Sequence, residues 1–368
     1  MTFVYLLILA ALFGWLGLLR YRRRSFLLRA VPKNFDPVRY GLAPSASLDP
    51  RKAGPTLLED DADERDAVIE AAFKGDWKPA AVYAEGAGQD HDERWSRIQL
   101  LQQLADRTPQ WLDAWLLAQP NNGDALSAHA SLLVHQAWAA RGSGYANQLS
   151  AQNKAAFKQM LPEAYKAAQR ASLAAPEHPG PWVVMITAAR GLNTEHDEFQ
   201  KLWTQLVARA PHHYDGHWQA LQYWCAKWHG SRELMLRFAT AVVDSAPPGS
   251  PLAAIYLHAL DELVERSNRV NGTELAHVTS WSADARATLL RAARSLDQVA
   301  EDDGRVQRLR HKLAFYLCNA RHYDAALEQF RRLGPWCGAE PWTTHANIIT
   351  TFERARATAA LRATAKPA

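Results

Sequence analysis

The sequence predicts an all-α protein, a right-handed α-solenoid of paired helices behind an N-terminal transmembrane helix. Three observations support this fold class. Almost no segment after Glu59 shows the period-two alternation of a β-strand. Proline-centred loops recur at a near-constant step. The amino end is a long apolar run, whereas the overall composition, 48% hydrophobic and 22% charged, is typical of a folded chain.

The amino end is the first predicted element. Residues Phe3 to Leu19 are seventeen positions without a charged side chain, and a helix of that length spans about 26 Å, close to the thickness of a bilayer core. A cleaved signal peptide would carry basic residues before this run, and a buried core helix would show a polar face. We therefore predict a membrane anchor through residues 2–20, in a first segment that covers residues 1–24.

The charges after this run predict its orientation. Seven basic residues and one acidic residue lie between Arg20 and Tyr40, so the rest of the chain is slightly acidic although the whole chain carries +4. Basic flanks stay in the cytoplasm, which predicts a single-pass protein of the inner membrane with a cytoplasmic C-terminal domain. The opposite orientation would make the chain a periplasmic envelope-assembly factor. Because the body is not basic, we expect no nucleic-acid partner.

Residues 25–58 form the second predicted segment, a proline-rich linker. Its prolines interrupt every hydrophobic period, and they are Pro32, Pro37, Pro44, Pro50 and Pro55. We expect this linker to act as a spacer. A helical-repeat domain over residues 59–335 follows it, and a C-terminal helix and tail cover residues 336–368.

Helices recur within the predicted repeat domain. Short loops separate them at Pro120, Pro176, Pro211 and Pro247. The last three prolines are 35 and 36 residues apart, and a step near 34 residues is the period of tetratricopeptide helix–turn–helix units. The longer first step contains an insertion, residues 142–161.

The clearest single unit covers residues 306–335. Small and apolar residues follow helical spacing on both sides of the turn Arg321-His322-Tyr323. This looks like the tetratricopeptide pattern, which favours glycine at the turn position that Arg321 occupies. A second turn of the same kind is predicted at Gly75-Asp76-Trp77.

The middle of the chain also resembles a known bacterial family. The stretches that carry the resemblance are Trp111-Leu112-Asp113-Ala114-Trp115, Ala137-Trp138, Arg141-Gly142-Ser143-Gly144, Pro181-Trp182, Ala189-Arg190-Gly191, Leu221 to Ser231 and Pro247 to Pro251. In order and spacing they are similar to the domain-of-unknown-function family DUF4034, over about residues 65–265. The resemblance implies a helical-repeat fold. It implies no activity and no catalytic residue.

The densest group of possible metal ligands is His212-His213-Tyr214-Asp215-Gly216-His217. His213 and His217 are four residues apart, as zinc ligands are on a helix, but no glutamate stands between them as a general base. We interpret the segment as a polar loop in which Asp215 caps the next helix. The alternative is a metal- or anion-dependent enzyme that uses His212, His213 and His217 together with His229.

The turn Lys227-Trp228-His229-Gly230-Ser231 has two interpretations. In the structural one, Gly230 closes a helix in the left-handed conformation and Ser231 caps the next helix. In the functional one, Lys227, His229 and Ser231 bind an anion. We find no nucleophile elbow, no phosphate loop, and only three widely spaced cysteines. We therefore predict no catalytic residue, no metal and no cofactor.

The aromatic residues of this region predict a binding surface. The helix before the turn is apolar nearly all round, so it is either central in the fold or presents a strip of aromatic rings in a concave groove. The residues that we expect to contact a partner are Trp218, Tyr223, Lys227, Trp228 and His229. The sequence thus predicts a membrane-anchored helical-repeat protein that acts as a docking scaffold for another protein or peptide segment, without catalytic activity.

Overall fold

The computed structural model describes residues 30–56, 62–142, 148–271 and 281–364. Within these ranges the chain forms fifteen α-helices, four short 3-10 helices and no β-strand. One isolated backbone bridge joins Asp49 and Trp336. The predicted all-α fold class is confirmed for this part of the chain.

The chain divides into two compact units. The central unit is Leu58–Phe238, and the terminal unit combines Met1–Leu57 with Ala239–Ala368. The central unit contains α1 Ala62–Phe73, α2 Lys78–Glu85, α3 His91–Arg107, α4 Gln110–Ala118, α5 Gly123–Arg141, α6 Ala151–Ala174, α7 Gly180–Gly191, α8 His196–Arg209, α9 Tyr214–Trp224 and the start of α10 Arg232–Ser245. The terminal unit continues with α11 Ile255–Asn271, α12 Ala283–Leu296, α13 Gly304–Asn319, α14 Tyr323–Leu333 and α15 Ile348–Arg362.

In the central unit, successive helices pack against one another. Helix α5 packs against α6 and α7, and helix α7 packs against α8 and α9. The core between the helices contains four large aromatic side chains that are wholly buried, Trp111, Trp115, Phe199 and Tyr223. Packing against both the next helix and the next but one buries a wide apolar face on each helix, which is what stabilises helices of this length.

Local signals in the sequence set the helix ends. Asp90, Asn122 and Ser150 cap α3, α5 and α6, because each side chain accepts a hydrogen bond from a backbone N–H of the first turn. The four prolines used to predict the loops, Pro120, Pro176, Pro211 and Pro247, all lie between helices. The periodic positions of these loops were therefore predicted correctly.

The predicted insertion at residues 142–161 is largely helical where the structure describes it. Ala151 begins α6, a helix of 24 residues with Pro162 in its interior. Phe157 and Leu161 of this helix pack on Gly191, the last residue of α7, where a side chain on the glycine would overlap both. The insertion therefore lengthens one helix of the central unit.

Both turns that resemble tetratricopeptide turns have a left-handed residue. Arg321, between α13 and α14, has a φ of 63°, and Gly75, between α1 and α2, has a φ of 79°. Helices α13 and α14 pack against each other, with Ala326 wholly buried. The backbone at Arg321 thus adopts the conformation that glycine favours.

The proline-rich segment is not a free spacer. Its described part, residues 30–56, packs on the helices of the terminal unit, and we refer to it as the strap. It contains 3-10 helices at Pro37–Tyr40 and Ser45–Ser47, and it buries Leu42 and Leu48. Prolines keep the strap out of regular helix, but the buried leucines and its hydrogen bonds hold it on the unit. The spacer prediction is therefore wrong for these residues, and the other predicted boundaries stay predictions.

The predicted localisation needs a correction. The predicted span, residues 2–20, lies outside the residues that the structure describes, and among those that it does describe no helix is long and apolar enough to cross a bilayer. The two longest, α5 and α6, carry charged side chains that include Asp124, Lys158 and Arg170. Placement as a single-pass protein of the inner membrane with a cytoplasmic domain is therefore contradicted and is not retained.

Candidate functional site

The five residues predicted to bind a partner lie on α9 and on the turn that follows it. Trp218 is half-buried on α9, Lys227 is exposed, and Trp228 and His229 are half-buried in the turn. Tyr223 is wholly buried. Four of the five residues therefore reach the surface to some extent, and Tyr223 does not.

Tyr223 is part of the core. Its ring stacks on Phe199 with the ring centroids 3.6 Å apart and the planes 3° apart, and its hydroxyl donates to the carbonyl oxygen of Thr194 at 2.7 Å. Because the ring is enclosed, its assignment to a partner-binding surface is wrong. Helical spacing marked α9 as apolar nearly all round, and it could not show which ring the neighbouring helices cover.

His229 is tied to the interior by its ring. Its Nε2–H donates to the carbonyl oxygen of Arg190 at 2.7 Å, and the ring stacks against Tyr223 with the centroids 5.0 Å apart. The imidazole therefore holds the turn against α7.

Trp228 belongs to a cluster of aromatic rings and two buried arginines. The rings of Trp138 and Trp228 meet edge to face, with centroids 5.4 Å apart. The Cζ atom of Arg190 lies 4.2 Å from the centroid of Trp138 and 5.2 Å from that of Trp228, and Cζ of Arg141 lies 5.1 Å from that of Trp228. Cation–π contacts of this kind stabilise desolvated guanidinium groups. The cluster fixes the turn on α5 and α7, so the role of Trp228 is at least partly structural.

The turn itself differs from its predicted geometry at Gly230. This residue does not adopt a left-handed conformation, and glycine is needed for a different reason, since a side chain here would overlap the backbone of Trp224. Ser231 behaves as predicted, because its hydroxyl oxygen accepts a hydrogen bond from Leu234 N at 3.1 Å and so caps α10.

The histidine-rich segment is a helix cap with a different capping residue from the predicted one. His213, not Asp215, is the N-cap of α9, and its Nδ1 accepts from the N–H of Gly216. Asp215 instead accepts a hydrogen bond from the indole N–H of Trp95 at 2.6 Å. His217 donates from Nδ1 to the carbonyl oxygen of His213 at 2.8 Å. These bonds tie the segment to α3 and to its own first turn.

Burial decides the protonation of these histidines. It lowers the pKa of His213 to about 4 and that of His217 to about 4. Burial also raises the pKa of the Asp215 carboxyl, against which the hydrogen bond from Trp95 acts. No group of three or more histidine, cysteine or carboxylate side chains in the described residues has the arrangement of a metal site.

A serine, a histidine and an aspartate meet elsewhere in the central unit. His178 Nε2 lies 3.0 Å from Asp124 Oδ1, and its Nδ1 lies 3.4 Å from the hydroxyl of Ser127. The Nδ1 atom also accepts the N–H of Gly180 at 3.0 Å. Ser127 is wholly buried, so no substrate reaches its hydroxyl. The three residues therefore join α5 to the start of α7 and do not form a nucleophilic site.

The central unit has an open groove across three successive helices. It has a volume of about 690 Å³, and its walls come from α6, α7 and α8. The side chains that line it are Glu163, Tyr165, Lys166, Gln169, Arg170, Ser172, Leu173, Trp182, Met185 and Leu202. Helix α7 contributes the floor, because it packs between its two neighbours in the chain.

The floor of this groove is apolar and its rim is charged. Met185 and Leu202 are buried beneath it, whereas Leu173 stands at its edge with 80% of its surface exposed. The guanidinium of Arg209 lies over the ring of Trp182, with Cζ 4.8 Å from the centroid. The indole nitrogen of Trp182 is buried and has no hydrogen-bond partner among the described residues. A segment bound in this groove would therefore contact apolar side chains and the ring of Trp182.

Sequence analysis missed this groove. The sequence analysis treated residues 142–161 as an insertion between helices. The half of α6 that lines the groove follows directly after these residues. An available signal was Leu173, an apolar residue outside the buried stripe of Leu161, Ala164, Ala168 and Ala171. Because exposure of a single leucine is common in folded proteins, this signal alone would not have located a site.

The fold and the groove define the chain as an all-α protein built from successively packed helices. In comparisons with known proteins, no family model, no curated protein and no solved structure matches it. Similarity to DUF4034 therefore stays a prediction from the sequence stretches given above. The argument for function depends on the geometry of the chain itself.

Proposed function

We propose that this protein is a docking scaffold that captures a segment of a partner protein in the groove formed by α6, α7 and α8. The observation that carries this proposal is the groove itself, which is open to solvent, has a volume of about 690 Å³ and is lined in part by apolar side chains. The proposal assigns the chain no catalytic role.

The lining of the groove has the composition of a peptide-recognition site. Aromatic and aliphatic anchors supply most of the binding free energy in such sites. Trp182 and Leu173 offer such side chains to a bound segment, and Met185 and Leu202 pack beneath them. The groove lies on packed helices, so the protein itself loses little conformational entropy when a segment binds. Leu173 at the edge adds apolar surface that binding would remove from water.

The charges around the groove favour an acidic partner segment. Lys166 pairs with Glu163 at 2.9 Å and the two charges offset each other. Arg170 is exposed beside this pair, and Arg209 covers Trp182. The excess of positive charge is complementary to carboxylates, which speeds association and selects the partner. We therefore specify the occupant as an amphipathic segment with apolar anchors flanked by glutamates or aspartates.

The finer fold assignment is part of the same proposal. We propose that the helix pairs form a right-handed α-solenoid of the tetratricopeptide type and that the chain is related to DUF4034. Packing of α5 on α6 and α7, and of α7 on α8 and α9, supports a solenoid. The left-handed Arg321 at the turn position where tetratricopeptide units favour glycine supports the type.

A peptide-binding measurement with matched variants tests the docking function. The probe is a fluorescent amphipathic peptide with leucines at i and i+4 and glutamates on its flanks, and its binding is followed by anisotropy. We expect the full chain to bind this peptide and Leu173→Glu to weaken binding at least about tenfold, through charge repulsion and lost apolar contact. The control is Leu117→Glu on α4, which is 86% exposed and outside the groove.

Three outcomes would contradict the proposal. The first is no binding of the acidic peptide to the full chain. The second is equal binding by Leu173→Glu and the unmodified protein. The third is equal binding of a peptide in which lysines replace the glutamates, because the positive rim should then repel it.

A further inference from the structure

We propose that Arg209 is the specificity-determining residue of the groove formed by α6, α7 and α8, and that it binds one carboxylate of the partner segment at a fixed position. This inference rests on the docking function proposed above and deepens it, because it names the residue that distinguishes one acidic segment from another. The group that Arg209 binds is a glutamate or aspartate side chain at one end of the apolar stretch of the segment.

Arg209 lies at one end of the groove. It belongs to the last turn of α8, and its Nε–H donates to the carbonyl oxygen of Pro176, in the loop between α6 and α7. Leu173, near the end of α6, and Trp182, in the first turn of α7, both line the groove. Since the Arg209 guanidinium also lies over the ring of Trp182, it is next to the side chains that a bound segment would contact.

Hydrogen bonds hold this guanidinium in one orientation. Besides the bond from Nε, its Nη1 donates to the main-chain carbonyl oxygen of Gln205 at 2.7 Å and to the side-chain Oε1 of Gln205 at 2.9 Å. The ring of Trp182 covers one face of the group, with Cζ 4.8 Å from the ring centroid. An arginine normally loses rotamer freedom when it binds a ligand, and these contacts have already restricted that freedom.

One amino group of Arg209 remains for the partner. Nη2 carries two N–H groups, and the hydrogen bonds of Arg209 within the described residues use only Nε and Nη1. Glu177, the residue after Pro176, forms no ion pair with Arg209 in the described ranges. A charged N–H group donates a stronger hydrogen bond than a neutral one, so Nη2 is the donor to which a carboxylate of the partner binds.

Arg170 provides the comparison for Arg209. It is exposed on α6, where it lines the groove, and no hydrogen bond or salt bridge to another described residue orients it. An exposed charge of this kind attracts any acidic segment and mainly affects the rate of association. Arg209 should therefore select the position of a carboxylate, whereas Arg170 should respond only to the total charge of the segment.

A double-mutant cycle between the protein and the peptide tests this inference. The probe is the acidic amphipathic peptide of the docking experiment, with two glutamates on each flank, and each glutamate is replaced by glutamine in turn. On the unmodified full chain, we expect one replacement to weaken binding at least about tenfold and the others about twofold each. On Arg209→Gln this difference should disappear, whereas Arg170→Gln should keep it and weaken the binding of all peptides by a similar factor.

A second variant separates the charge of Arg209 from its orientation. Gln205→Ala removes the side-chain acceptor for Nη1 and leaves both the charge and the bond to Pro176, and the exposed Gln205 is not part of the core. We expect it to weaken several-fold the binding of the peptide with all its glutamates and to leave the binding of the most affected glutamine peptide unchanged. Arg209→Lys keeps the charge without the planar guanidinium and should also lose the preference for one position.

Two results would overturn this inference while the docking function stands. One is an equal effect of all glutamate replacements on the unmodified chain. The other is a preference for one glutamate position that persists in Arg209→Gln, provided that circular dichroism shows this variant to be folded. If no acidic peptide binds to the unmodified chain, the docking function fails and this inference fails with it, so the two failures are distinguishable.

Discussion

Arg321 shows how a single residue can conflict with the turn that contains it. Its φ of 63° lies in the left-handed region, where a side chain with a Cβ costs about 1 kcal/mol relative to glycine. We predict that Arg321→Gly stabilises the protein by up to about 1 kcal/mol, although glycine also gains freedom in the unfolded chain. Urea unfolding followed by circular dichroism measures this change.

Gly75 and Asn193 are matched comparisons for this prediction. Gly75 has a φ of 79° and open space around it, so Gly75→Ala should lose about 1 kcal/mol from backbone strain alone. Asn193, with a φ of 55°, tolerates this region better than arginine, and Asn193→Gly should change stability less than Arg321→Gly does. Destabilisation by Arg321→Gly would show that the arginine side chain has a stabilising contact that outweighs the strain.

Tyr223 permits a separation of stacking from hydrogen bonding. Tyr223→Phe keeps the ring on Phe199 and removes only the bond to Thr194, so we expect a loss of about 1 kcal/mol. Tyr223→Ala leaves a cavity in the core and should lose about 3–5 kcal/mol. The free energy of unfolding in urea distinguishes the two. A loss below 1 kcal/mol for Tyr223→Ala would mean that the ring is not in the core.

At the scale of elements, the turn between α9 and α10 depends on one glycine. A methyl group on Gly230 would overlap the backbone of Trp224, which cannot move without shifting the end of α9. We predict that Gly230→Ala lowers the unfolding free energy by about 2 kcal/mol or more, as overpacking against backbone does. Gly88→Ala, where the φ is 58° and no atom is close, should lose only about 1 kcal/mol.

Thermal and urea unfolding of both glycine variants checks this prediction. Because Trp228 lies close to the altered turn, the summed tryptophan emission should change in Gly230→Ala and stay the same in Gly88→Ala. Equal stability of the two variants would contradict the close approach of Gly230 to the backbone.

The elements also show what the sequence can and cannot predict. Helices and the loops at Pro176 and Pro211 follow from local periodicity and proline chemistry, so they were predicted from the sequence. The strap was not, because its prolines indicate only that the chain is extended. Whether such a segment is solvated or packed depends on donors elsewhere in the chain. Arg356 and His311 lie 313 and 258 residues beyond the strap carbonyl groups to which they donate, and no local pattern contains that information.

The same limit applies to the candidate site. Aromatic composition marked α9 and its turn, yet Tyr223 is enclosed and Trp228 stacks with arginines from other helices. Those contacts join residues that are 29 to 90 positions apart in the chain. A groove forms where three helices leave a space between them, so its position depends on packing and not on the period of any one helix.

For the whole molecule, three buried histidines and the half-buried His258 predict acid sensitivity. Burial lowers the pKa to about 4 for His213 and His217 in the central unit and for His258 and His311 in the terminal unit. Their ordinary value is 6.5. Between these two values the unfolded chain binds more protons than the folded one, so stability rises with pH across this window and is lost as the pH falls from 6.5 to 4.

Each histidine contributes about 3 kcal/mol to this loss at most, since one pKa unit corresponds to about 1.4 kcal/mol. The free energy of unfolding in urea, measured from pH 7.5 to 4, should decrease most steeply below pH 6. His217→Gln would flatten the profile if the substituted side chain is accommodated. An unchanged unfolding free energy over this range would contradict neutral burial of these rings.

The packing of the strap on the helices of the terminal unit has a practical consequence for the production of this protein in shortened form. If composition alone decided the first residue of a shortened chain, that residue would be near position 59, after the last proline of the proline-rich segment. That shortened chain would lack the leucines and carbonyl groups that pack on α13, α14 and α15, and it would expose the apolar surface that the strap covers. We expect such a truncation to aggregate during purification, and a start before Pro37 to give monodisperse material by size-exclusion chromatography.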